Sequence, residues 1–269
     1  DVLHCFGDSP YFLHLFKLLK GQGKDVKLIV NPNFYRRPPY LYWVPRALSW
    51  AGPNWWSERY EMYRMAAHIV VNSWHEHSYL KTIFGSEISS KIIVIPNTFD
   101  LATDLVGKLP SGLPEKFICC VSHLSERKNI FNLLIAAIDI HRQFSIPLVL
   151  VGGQRFSNFK NNSKFEKLLN SAGDAVIWLN AVEKSEALAI IKQAEVHVLP
   201  SFVESPGLSN LEAVMLGTKA IVGDFPIVRE YLGSSASYTG FSSRAIVNSV
   251  KMVLTESPFQ IGEKAVSVP

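Results

Sequence analysis

From residue 117 to residue 254 short apolar runs alternate with amphipathic stretches, and this alternation constrains the fold more than any other feature. Phe117–Ser122, Pro147–Val151, Val176–Leu179, Val196–Pro200 and Lys219–Val222 read as strands. Ile130–Phe144, Lys164–Ser171, Glu186–Ala194, Leu208–Leu216 and Arg244–Leu254 read as the helices that follow them. Strands this short, each followed by a helix, predict a parallel sheet covered on both faces. Cys119 and Cys120, adjacent in the first of these strands, then point to opposite faces. In such a sheet ligands sit beyond the carboxyl ends of the strands, where helix N-termini point. The strand-to-helix turns are therefore where chemistry is to be sought.

Upstream the pattern is looser. Asp1–Gly7 reads as the end of a strand, and Val26–Val30 as a buried one. Glu58–His68 reads as a helix running into a short strand at Ile69–Asn72. Trp74–Phe84 is a helix closed by Gly85, and Lys91–Ile95 is a strand turned out by Pro96–Asp100. Gly107–Pro114 reads as the linker. The expected division is a remnant of an N-terminal domain over 1–109, a second domain over 110–258 and a tail over 259–269. The chain opens at Asp1 within what reads as a strand, so it is expected to be a piece that begins inside a domain.

Composition narrows the function classes. Apolar residues make up 48% of the 269 residues, enough for a real core. The 27 basic residues exceed the 23 acidic ones only slightly and are scattered, which argues against nucleic acid as a partner. The excess suits a phosphate-bearing ligand or an anionic membrane surface. Cys5, Cys119 and Cys120 form no framework and no zinc-ligand spacing, which fits a reducing compartment and no metal. With no signal peptide and no apolar run of about 20 residues, a cytoplasmic location is expected.

The strongest motif is VLPSFVESPGLSNLEAVMLG, Val198–Gly217. A strand ends at Pro200, a loop carries Glu204, and a helix bearing Glu212 starts between Pro206 and Ser209. The helix N-terminus offers amides and partial positive charge, and Gly207 lets a ligand approach the backbone. Two carboxylates eight positions apart would be separated by roughly 12 Å along one helix. A glycosidase pair needs roughly 5–9.5 Å. The wider spacing suits the two ends of an extended ligand, sugar at one, ribose at the other, phosphates between. A purely structural alternative stands beside this. Ser209 and Glu212 have capping-box spacing, and Ser205-Pro206 reads as an N-cap with proline at the first helical position.

Two weaker signals follow the same logic. In VSHLSERKN, Val121–Asn129, Lys128 stands where a helix begins and can reach a phosphate as a point charge. The alternative is a solvated basic turn. Val151-Gly152-Gly153-Gln154 places two glycines after a strand but lacks GxGxxG, which argues against a dinucleotide dehydrogenase.

These pieces in this order resemble the C-terminal domain of retaining family-4 glycosyltransferases with the GT-B fold. Glu204 and Glu212 match that family's Glu-x7-Glu motif, Lys128-Asn129 its phosphate-contacting turn, and VVNS (Val70–Ser73) and IPNTFD (Ile95–Asp100) an upstream stretch. The resemblance runs from about Ala67 to Leu254. It implies two Rossmann-like domains facing a cleft, the first incomplete, and transfer of a hexosyl unit from a nucleotide sugar to a glycan or lipid-linked acceptor with retention. A nucleotide-sugar-binding module without activity is the alternative. The resemblance further implies that Glu204 contacts sugar hydroxyls and Glu212 the ribose. Amides near Gly207, Leu208, Ser209 and Asn210 would hold sugar and diphosphate. Leu179–Val182, with Asn180, would line the base pocket, and no metal or other cofactor is implied. Where the family has arginine in the first turn this chain has His123, with Arg127 as the substitute cation. The family's histidine near the sugar has only Asn33 close to its place, and His4 belongs to an earlier strand.

Tyr40–Trp56 is rich in tryptophan (Trp43, Trp50, Trp55, Trp56), interleaved with Arg46 and preceded by Arg36 and Arg37. It reads either as an interdomain or acceptor-site lining, or as a peripheral contact with an anionic membrane. His68, His75 and His77 read as structural or exposed.

Overall fold

The computed structural model describes residues 1–32, 46–48, 50, 52, 54–97, 105–205 and 207–255. Asn33, Trp43, Pro206 and the tail from 256 lie outside them. Two compact units emerge, residues 1–98 and 99–269. The stretch 107–114 belongs to the second, where the Gly107 N–H donates to the Ser185 carbonyl at 3.0 Å.

The first unit runs β1 (Val2–Phe6), α1 (Pro10–Gly21), β2 (Lys27–Asn31), α2 (Trp55–Met65), β3 (His68–Val71), α3 (Trp74–Phe84), α4 (Ser86–Ser89) and β4 (Ile92–Val94). Its four strands lie in sequence order, all parallel. Helix α1 is absent from the sequence reading, although its signals are plain. Ser9 caps it, Pro10 opens it, and Leu13 and Phe16 are buried. Helix α2 starts three residues earlier than Glu58 because the Asn54 side chain accepts from the Trp56 and Ser57 amides at 3.0 and 3.1 Å.

The second unit holds β5 (Ile118–Val121), α5 (Ile130–Phe144), β6 (Leu148–Val151), α6 (Phe159–Ala172), β7 (Val176–Leu179) and α7 (Lys184–Gln193). It continues with β8 (Val196–Leu199), α8 (Leu208–Met215), β9 (Ala220–Gly223), α9 (Pro226–Leu232), β10 (Ser237–Thr239) and α10 (Ser243–Thr255). The strands pair in parallel in the order β10-β9-β8-β5-β6-β7. Every residue of β6, β8 and β9 is buried, as a sheet covered on both faces requires. Cys120 packs into the core under α5 and α10, and Cys119 into the opposite core with Ile190, Ala213 and Val228. Each fully buried Leu or Ile contributes roughly 1.5–3 kcal/mol. Helix α5 alone buries Ile130, Leu133, Leu134 and Ile140, which outweighs any surface ion pair here. Helix α9 and strand β10 were not expected from the sequence. The strand order reverses between β5 and β8, which opens a crevice at their carboxyl ends.

Candidate active site

The crevice is filled from two loops. After β5 the chain passes His123 and makes a 3-10 turn, Glu126–Lys128; Asn129 follows in the left-handed region at φ 59°, and α5 starts. The Asn129 amide donates to the Phe241 carbonyl at 2.8 Å, which fixes the turn. After β8, residues 200–207 lead into α8. The loops are laced together: Phe202 N–H donates to the Arg127 carbonyl at 2.9 Å, and the Arg127 guanidinium to the Val203 carbonyl at 3.0 Å.

Glu204 is 6% exposed and lies at the centre of this lacing. Lys128 and the Ser201 hydroxyl donate to its Oε2, the latter at 3.0 Å, and Arg127 approaches Oε1 at 3.4 Å. Lys128 is 7% exposed, so it is not a solvated basic turn. Glu212 is 2% exposed and accepts from Lys184, the first residue of α7. This overturns the capping-box alternative for Ser209 and Glu212. Helix α8 starts at Leu208 with Gly207 as N-cap, so Ser209 is already inside it.

These residues surround a pocket of about 500 Å³ lying within the second unit, a volume suited to a small-molecule ligand. Its floor is Val121, Val151, Gly152 and Gly153. One wall is Ala181, Val182, Lys184 and Ala187; another is Glu204, Ser205, Gly207, Leu208, Ser209 and Glu212, with Ser122, His123 and Lys128 at the head. Gly207 has φ +79°, and a Cβ there would stand 2.6 Å from Asn210 Nδ2 and 2.9 Å from Glu204 Cγ, so only glycine fits. The Asn210 N–H closes the first turn on the Gly207 carbonyl at 3.0 Å, leaving the amides of Gly207, Leu208 and Ser209 at the open helix end. Asn210, Arg127 and Asn180 do not line the pocket; the exposed Asn180 accepts from the Ala181 N–H at 3.0 Å. At the head, burial and then the charges of Arg155, Lys128 and Arg127 push the His123 imidazole below its usual range. Among the described residues no three His, Cys, Asp or Glu side chains form a metal site.

The sequence of residues 103–259, more than half of the chain, matches the profile of the family described as glycosyl transferases group 1. The chain belongs to that family. Among curated relatives of these group 1 glycosyl transferases, alpha-monoglucosyldiacylglycerol synthase of Streptococcus pneumoniae (strain ATCC BAA-255 / R6) is 26% identical over 129 residues. Those residues are 48% of this chain and 29% of the relative. Solved structures align over nearly the whole chain. Sucrose-phosphate synthase from Thermosynechococcus elongatus matches with a TM-score of 0.69 at 19% identity, covering 95% of this chain and 64% of that one. HepE of Anabaena, in complex with UDP and glucose, gives 0.71 at 16% identity, over 94% and 68%. A UDP-forming alpha,alpha-trehalose-phosphate synthase from Burkholderia xenovorans gives 0.73 at 12%, over 96% and 66%. At these identities the likeness establishes the fold, two Rossmann-like α/β units of the GT-B type.

The sequence reading missed Ser201 and Lys184. Ser201 gives no sequence signal, because its role depends on the turn that brings it onto Glu204. Lys184 gives none either, because the sequence starts its helix only at Glu186 and its contact with Glu212 is made across the fold.

Proposed function

We propose that the pocket of the second unit is the donor seat of a glycosyltransferase that moves a hexosyl unit from a nucleotide sugar to a glycan or lipid-linked acceptor with retention. The observation that carries this reading is the placement of two buried carboxylates, Glu204 and Glu212, on either side of a glycine-opened helix end in one pocket. Glu204 takes the sugar hydroxyls and Glu212 the ribose. The base rests beside Ala181 and Val182. The diphosphate lies on the amides of Gly207, Leu208 and Ser209, within reach of Lys128 and His123. As the bond between the sugar and the leaving phosphate oxygen lengthens, negative charge grows on that oxygen. The fixed amide dipoles stabilise it without reorganising, and Lys128 adds its charge.

UDP-glucose is the first donor to test, since a matched structure holds UDP and glucose and a matched relative is a glucolipid synthase by name. Calorimetry should detect its binding, and Glu212→Ala should weaken it by roughly 1.5–3 kcal/mol, the worth of a hydrogen bond to a charged group. Unchanged affinity in the variant, or no binding of any nucleoside diphosphate or its sugar to the unmodified chain, sinks the reading.

A lipid-linked acceptor would bring the protein to a membrane. Trp50 is 84% exposed, whereas Trp56 is buried. Sedimentation with anionic vesicles, weakened only partly by salt, is the expected outcome. Failure to sediment at low salt removes the membrane from the proposal.

A further inference from the structure

Lys184 occupies a position its own helix disfavours, since the first turn of α7 carries partial positive charge. Its ammonium donates to Glu212, eight-residue partner of Glu204 and anchored on another helix. The two ends of this ion pair differ in surroundings: the Glu212 side chain is 3% exposed and that of Lys184 58%. A buried carboxylate requires a counter-charge, whereas an exposed lysine on a flexible stem can leave one anion for another.

The pocket therefore contains two carboxylate–lysine pairs, one buried at both ends and one with an exposed lysine. Glu204 is matched by Lys128 from the turn after β5, and Glu212 by Lys184 from α7. A ligand with hydroxyls at both ends and phosphates in the middle offers all four groups new partners, with hydroxyls for the carboxylates and phosphate oxygens for the lysines. Glu212 follows Leu208 by four residues, so it stands about 6 Å along α8 from the amides of the helix end. A lysine stem pivoting away from Glu212 covers that span. His123 does not supply the charge instead, because burial and the neighbouring Arg155, Lys128 and Arg127 favour its neutral form.

We infer that Lys184 is a second phosphate-binding lysine of this pocket, exchanged from Glu212 to the diphosphate of the donor as the ligand enters. This rests on the donor-seat reading above.

Titration calorimetry with UDP, GDP and uridine tests it on the unmodified chain, Lys184→Met and Lys184→Arg. Lys184→Met should weaken diphosphate binding at least about tenfold, the size of one charge-assisted hydrogen bond. Uridine should change by less than about twofold, since it carries no phosphate for the ammonium. Lys184→Arg should recover most of the loss. Because Lys184→Met leaves Glu212 without this partner, the same comparison is made between Glu212→Gln and the Glu212→Gln/Lys184→Met pair, where the same diphosphate-specific loss is expected. If the unmodified chain binds a diphosphate and Lys184→Met binds it as tightly, or loses uridine equally, Lys184 is only a structural counter-ion and the inference fails alone. If the unmodified chain binds neither UDP nor GDP, the donor-seat reading fails and takes this one with it.

Discussion

Lys128 stands in two balances at once. At 7% exposure it neutralises Glu204, and in the proposed function it also faces the diphosphate. Lys128→Ala should therefore lower the unfolding free energy by about 3 kcal/mol, the low end for breaking a buried pair, because Ser201 and Arg127 still hold Glu204. Urea unfolding measures that. The same variant should lose UDP affinity well beyond uridine affinity; equal losses would take Lys128 out of the ligand site. His197 on β8 is a different residue-scale case. It is fully buried, and neither ring nitrogen meets a hydrogen-bond partner among the described residues. Burial, then the charge of Lys128, pushes its pKa down to about 3. Since the unfolded chain takes up this proton near pH 6.5 and the folded one only near 3, acid favours unfolding between those values. Stability should fall by roughly 1.4 kcal/mol per pH unit from this group across that window. His197→Leu should flatten the profile between pH 4 and 6; an unchanged slope would show that His197 is not the group responsible.

At the scale of elements, the floor of the pocket depends on β5 and β6 ending close together. Gly152 has φ +135°, and a Cβ there would stand 1.9 Å from the Ser122 carbonyl oxygen. Gly152→Ala must spread the two strand ends, costing about 3 kcal/mol from overpacking and backbone strain together. Urea denaturation checks this, and pocket affinity should fall with it; a variant of unchanged stability would mean the strand ends are free to part. The elements most legible in the sequence are those with a capped start or a regular spacing, such as α3 behind Ser73 and the amphipathic α5 between its two strands. Helix α1 carries its own signals, Ser9 and Pro10 at its start and His14, Lys17 and Lys20 three apart on one face, and is absent from the sequence reading although nothing physical hides it. Strand β10 has three residues, too few to show a period. The site followed the same division. Glu204, Gly207 and Glu212 can be read from residue type and spacing in one motif, whereas Ser201, inside the same motif, joins the site only through the turn that brings it onto Glu204, and Lys184 only through the fold.

On the scale of the molecule, the pocket, its two carboxylates and its lysines all belong to the second unit, which has cores of its own on both faces of its sheet. Residues 105–255 produced alone should fold and bind UDP within about threefold of the full chain, since binding draws on contacts inside that unit. A much weaker complex would show that the first unit contributes to the donor seat. The adjacent cysteines of β5 carry one more consequence. Cys119 and Cys120 face opposite cores, and burial raises both thiols, Cys120 to about 12. Neither is a usable nucleophile while the sheet is closed. An alkylating reagent therefore reads a clock: its rate at Cys119 times the parting of one helical layer, its rate at Cys120 the parting of the other. Equal rates would mean the two layers come away together, and unequal rates would name the layer that loosens first.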